Sequence, residues 1–136
     1  MNKKELLVNL INIIKEKKLL TYFIKTIFDY DNINDNNYIF HIEENNETII
    51  IDIYDNVNDN RFNRYIIDYK KGRVKNRIIR NSNVFITYID ALNIKDSDNK
   101  ILKLVYLTTL DKKNIIAYAN TFLDYKFIDI LKEIIK

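Results

Sequence analysis

The sequence predicts an α+β fold: an N-terminal helix, an antiparallel meander of five to six strands, and a C-terminal helix packed on one face of the sheet. Three observations predict it. Apolar residues recur every three to four positions over residues 3–28 and again after Asp111, the period of a helix with one buried side. Between those stretches the period falls to two, that of a strand. No helical stretch of crossover length separates one strand from the next, so turns join them and neighbours run antiparallel.

Leu6, Leu10, Ile13, Ile14, Leu20, Ile24 and Ile27 form the apolar stripe of the first helix, with Lys15-Glu16-Lys17-Lys18 as either its outer face or a break. Asp29 to Asn37 is rich in Asp and Asn and reads as a loop. Tyr38 to Glu43 and Thr48 to Asp55 are the first two strands. Glu44-Asn45-Asn46-Glu47 turns between them, because Asn accepts positive φ. Ile49, Ile51 and Ile53 share one face of the second strand, and Ile50, Asp52 and Tyr54 share the other. After a polar loop at Asn56 to Asn60, the third strand spans Arg64 to Lys70. Lys71-Gly72 then turns the chain, with the lone glycine supplying φ > 0. Arg73 to Ile79 returns as the fourth strand, with a short helix over 74–80 as the alternative. Val84 to Asp90 is the fifth, Asn93 to Asn99 a loop, and Lys100 to Thr109 the sixth. Asp111 caps the final helix, whose stripe is Ile115, Ala119, Phe122, Phe127, Ile130, Leu131 and Ile134. Asp124-Tyr125-Lys126 is the point where it divides, if it does. Residues 1–136 read as one domain without repeat or linker.

Composition excludes whole classes of chemistry. The 136 residues include no cysteine, one histidine (His41), one glycine (Gly72) and no proline. Disulfides, thiolate zinc and thiol nucleophiles are therefore ruled out, as are phosphate loops and dinucleotide-binding loops, which need several glycines. No cofactor is expected. The longest apolar runs are too short to span a bilayer, and no small-residue cleavage site follows the N-terminal apolar stretch. A soluble, cytoplasmic protein without membrane contact is the expectation. The abundance of Asn, Ile, Lys and Tyr matches an AT-rich coding sequence and fits a product of a phage, virus or mobile element.

Charge is distributed less evenly than that composition demands. All five arginines of the chain, Arg61, Arg64, Arg73, Arg77 and Arg80, lie within 61–80, together with Lys70, Lys71 and Lys75. Eight cations against the single acid Asp68 give this window +7, whereas the whole chain carries +3, so the remainder carries −4. The register of the hairpin decides what it displays. With a Lys70-Lys71-Gly72 loop, Tyr65 and Tyr69 share a face with Arg73, Lys75 and Arg77. With a Lys71-Gly72 loop, Tyr65, Ile67, Tyr69, Val74 and Ile78 share an apolar face, and Arg64, Asp68, Lys70, Arg73, Lys75 and Arg77 share the charged one. A slip of one residue swaps the two faces. Arginine forks suit phosphates and tyrosine rings suit bases, so the expected partner is a nucleic acid, a nucleoprotein complex or an acidic protein surface. The bland alternative is an edge strand whose cations only block aggregation. The terminal helices, rich in apolar residues, also suit a homodimer interface. The expected role is that of a small regulatory or inhibitory binding protein, for example an inhibitor of a host-defence nuclease complex.

Catalytic readings are thinner. Asp52, followed on a neighbouring strand by Asp68-Tyr69-Lys70, resembles the outline of metal-dependent PD-(D/E)xK nucleases, without the proline of that motif. The resemblance implies that the two acids hold Mg²⁺ and the lysine positions the attacking water. His41 lies mid-strand with Ile39 and Glu43 on its face and reads as a structural histidine. Asp96, Ser97, Asp98 and Asn99 echo a calcium loop, but lack its glycine and terminal glutamate. A protein-binding module of the chaperone or immunity type is the third reading.

Overall fold

The computed structural model describes residues 2–16, 38–55, 61–80, 83–123 and 125–135. The expected continuation of the first helix over 17–28 and the loops at 29–37 and 56–60 lie outside the described residues. In chain order the elements are α1 (Lys3–Glu16), β1 (Tyr38–Glu44), β2 (Thr48–Asp55), β3 (Arg61–Asp68), β4 (Arg73–Arg80), β5 (Asn83–Asp90), a 3₁₀ turn (Ala91–Asn93), α2 (Lys100–Thr108), α3 (Lys112–Phe122) and α4 (Tyr125–Ile134).

The strands form one antiparallel sheet in the order β1-β2-β3-β4-β5, a meander in which each strand pairs with its neighbour in the chain. The helices cover one face. Ile49, Ile51 and Ile53 of β2, Tyr65 and Ile67 of β3, and Val74 of β4 alternate toward that layer. There they join Leu6, Leu7, Leu10, Ile11 and Ile14 of α1, Ile101, Leu104, Val105 and Leu107 of α2, and Phe127, Ile130 and Leu131 of α4 in one core. Burial of side chains of this size, at about 1.5–3 kcal/mol each, is what holds the layers together. Most polar groups admitted to the core are paired across elements, Asn63 Nδ2 being an exception among the described residues. Asn99 Nδ2 donates to the Tyr65 hydroxyl at 2.6 Å, and the Tyr69 and Thr108 hydroxyls lie 2.7 Å apart. On α3, the Tyr118 hydroxyl donates to the Lys95 carbonyl at 2.9 Å.

The expected strand at 100–109 is a helix instead. Ile101, Leu102, Leu104, Val105, Leu107 and Thr108 of α2 are all buried, so the segment is apolar over much of its circumference, with Lys100, Lys103 and Tyr106 on a narrow, less buried side. Asn99 starts it by accepting from the backbone N–H groups of Ile101 and Leu102. The meander therefore has five strands. The final helix divides as the sequence allowed, with α3 ending at Phe122 and α4 beginning at Tyr125.

The β3–β4 hairpin has a four-residue turn, Tyr69-Lys70-Lys71-Gly72, between the paired Asp68 and Arg73. This loop is two residues longer than Lys71-Gly72 alone, and the even shift preserves the assignment of faces. Asp68 Oδ1 accepts from the Lys71 backbone N–H at 3.0 Å, and Gly72 takes φ +64°. A Cβ at Gly72 would meet nothing within 4 Å, so Gly72→Ala exposes the cost of the backbone conformation alone. The expected loss is about 1 kcal/mol, read as a lower denaturant midpoint at unchanged m.

Candidate functional site

Alternation and register determine which basic side chains reach the face away from the helices. Cross-strand partners share a face, so the register sorts the outer surface into rows. One row runs His41, Asp52, Arg64, Arg77, Ile86; the next runs Glu43, Ile50, Ile66, Lys75, Tyr88; a third holds Thr48, Asp68, Arg73 and Asp90. At the other end Ile39, Tyr54, Phe62, Ile79 and Val84 make an apolar row across all five strands. Ile50, Ile66, Tyr54, Phe62 and Ile79 do not belong to the core that the described helices cover.

The expected binding residues fall into three groups. Two are corrected: Tyr65 is fully buried among core side chains, and Tyr69 packs in the turn with its hydroxyl on Thr108, so neither ring can stack a base. Burial raises the pKa of both hydroxyls above the ordinary tyrosine value, that of Tyr69 to about 12. Two cations have anions of their own. Arg64 Nε and Nη2 donate to the two carboxylate oxygens of Asp52 at 2.7 and 3.1 Å. That pairing stabilises the charged guanidinium and raises its pKa further. Lys70 lies 3.5 Å from Glu47, with both side chains largely exposed, and contributes little to stability. Lys71 stands exposed in the turn, its backbone tied to Asp68. Arg61 and Arg80 are opposed in the register at the far end of the hairpin.

The third group is Arg73, Lys75 and Arg77, successive outer-face positions of β4 about 7 Å apart along the strand. Neither Arg73 nor Arg77 has an ion-pair partner among the described residues. Lys75 Nζ sits 5.8 Å from the ring centre of its β5 partner Tyr88, which is 71% exposed. Sequence reasoning did not single out Tyr88. Its signal was position: it sits in the adjacent strand, where the hairpin after Arg80 brings it level with Lys75.

The acid–lysine constellation is not assembled. Asp68 pairs with Thr48, four residues from Asp52 along β2, which separates the two acids by about 13 Å. Both oxygens of Asp52 are taken by Arg64, Asp68 closes the turn, and Lys70 faces Glu47. No cluster of three or more His, Asp or Glu side chains able to hold a metal occurs among the described residues. His41 and Glu43 are exposed on β1. Ser97 and Asn99 organise the start of α2, where Ser97 Oγ accepts from the Asn99 N–H at 3.1 Å.

These observations define an α+β domain with helices on one face of a five-strand meander and a basic and aromatic strip on the other. Among the described residues no helix is long and apolar enough to cross a membrane. No protein-family model, curated protein or solved structure matches the chain.

Proposed function

We propose that this is a small binding protein that engages a nucleic acid strand, free or within a nucleoprotein effector, through the outer face of β4 and β5. It acts by occupancy, as a regulator or inhibitor. The reading rests on one observation: Arg73, Lys75 and Arg77 project in register from β4 beside the exposed ring of Tyr88. Three cations at a two-residue repeat can follow a phosphate backbone, and an aromatic ring next to them offers a platform for a base. The sheet holds both components on neighbouring rigid strands, which lowers the ordering cost of binding.

Fluorescence anisotropy with labelled single-stranded DNA, single-stranded RNA and duplex tests it. Binding of a single strand is expected, with log affinity falling at a slope of about −2 against log salt, the value for three phosphates on a single strand. Tyr88→Ala should weaken it by about 1–3 kcal/mol, the worth of one stacked base, without changing that slope. The combined Arg73→Gln, Lys75→Gln and Arg77→Gln variant should abolish the salt dependence. Undetectable binding at low salt, or binding that the triple variant leaves intact, sinks the reading.

A further inference from the structure

The free edge of the sheet is the least protected part of the described surface. β5 pairs with β4 without interruption from Arg73–Asp90 to Arg80–Asn83, and among the described residues no strand pairs with its other edge. From Asn83 to Ile89 it carries no charge, contains no proline and shows no bulge, the three devices that normally keep an edge from pairing. Its side chains are open on both faces: Val84 (51%), Ile86 (50%) and Tyr88 (71%) on the outer side, Phe85 (55%) on the helix side. The opposite edge is built differently. β1 carries exposed His41, Glu43 and Glu44, and Lys4 of α1 donates to the Asn45 and Asn46 carbonyls of the turn beside it. One edge is guarded and the other is not.

We infer that β5 pairs antiparallel with β5 of a second copy of this chain, making a continuous ten-strand sheet about a two-fold axis normal to it. A second copy suits this edge because β5 is complementary to itself. A two-fold axis normal to the sheet keeps each outer face outward, so residues of equal parity must face one another. Pairing centred on Ile86 places Ile86 opposite its counterpart, Val84 opposite Tyr88, Phe85 opposite Thr87 and Asn83 opposite Ile89. Each bulky ring then meets a smaller residue, no like charges oppose, and Asp90 falls outside the paired stretch. A specific interface needs on the order of 1,000 Å² in total, so pairing confined to the short stretch from Asn83 to Ile89 suits a reversible dimer. In that dimer the two rows of Arg73, Lys75 and Arg77 flank the seam about 14 Å apart, three strand spacings. The inference stands whether or not the outer face binds nucleic acid.

Sedimentation equilibrium of nuclease-treated protein in about 0.5 M salt, which suppresses polyanion binding, tests it. The mass is expected to rise from the chain value of 16.4 kDa toward twice that value, with a midpoint on the order of 10 µM. Ile86→Lys puts two cations face to face on the axis and should hold the mass at the chain value at every concentration. Phe85→Lys, on the other face of the strand, should weaken association at least tenfold. Both positions are half exposed in the single chain, and circular dichroism should show both variants folded. Three outcomes overturn the inference: wild type at the chain mass throughout, folded variants that dimerise as wild type does, or a mass that grows past the dimer. The last would mean that β5 meets β1 of the next copy in an open chain.

Discussion

Replacing Arg64 with alanine is expected to cost about 2–3 kcal/mol and to lower the melting temperature by about 10 °C. The reason lies with its partner. Asp52 is only 7% exposed although it sits on the outer face, flanked by His41 on β1 and Arg64 on β3. Arg64 supplies both of its side-chain hydrogen bonds, and the guanidinium in turn stacks 5.5 Å above the Phe62 ring. Removing the arginine leaves a carboxylate with poor access to water and, among the described residues, no other cation paired with it, which costs more than the pair contributes while intact. The double variant Arg64→Ala, Asp52→Asn should therefore be more stable than Arg64→Ala alone. Thermal unfolding of wild type, both single variants and the double variant measures the coupling, expected to be about 1–2 kcal/mol. Additive losses would show that the two side chains are close but energetically independent.

Alkaline pH is expected to unfold the protein cooperatively between pH 10 and 12. Burial holds the Tyr69 hydroxyl up to about 12 and also raises Tyr65 and Tyr118 above the ordinary value. In the unfolded chain all three ionise near pH 10. Below that pH both states keep the protons and stability is unaffected. Above it the unfolded state binds fewer protons than the folded one, so stability falls with rising pH by about 1.4 kcal/mol per unit for each tyrosine still protonated in the fold. Three such groups together erode up to about 4 kcal/mol per unit, or about 8 kcal/mol by pH 12, which falls within the 5–15 kcal/mol of an ordinary domain. Phenolate absorbance and far-ultraviolet circular dichroism should change together. Tyr69→Phe removes one of the three groups and should move the midpoint upward, despite losing the bond to Thr108. Full phenolate titration near pH 10 with unchanged dichroism would contradict the burial of these hydroxyls.

The two-residue period made most of the sheet legible. It put Ile49, Ile51 and Ile53 together on one face, which the structure buries, and marked β2, β4 and β5 to within a residue of their bounds. The faces of the basic hairpin were legible only as a pair of alternatives. The observed turn keeps Tyr65, Ile67 and Val74 inward, as in the alternative that separates polar from apolar side chains. Burial decided the register, and the same burial removed the tyrosines from the binding surface. The segment Lys100–Thr108 was misread because Ile, Leu and Val at adjacent positions satisfy a buried strand and a buried helix equally. Its helical signals were slight: Asn99 at the cap, and Lys100, Lys103 and Tyr106 three residues apart on the less buried side. The Asp52–Arg64 pair could not be read from spacing, because it depends on the β2–β3 register. That register puts Asp52 level with Arg64 and far from Asp68, and so dissolves the acid–lysine outline.

The strand order also bears on how the chain acquires its structure during synthesis. Each hairpin joins segments that are adjacent in the chain, so its loop closes at small entropic cost and local pairing is fast. With no proline in the sequence, no slow isomerisation step delays it. The N-terminal helix has the opposite history. It leaves the ribosome before the sheet, yet Leu7, Leu10 and Ile14 are covered by packing that includes α2 and α4, which are made after it. Until that C-terminal third arrives, the nascent chain carries an open apolar stripe beside a sheet that is already able to form. In that interval the exposed stripe is most prone to aggregation.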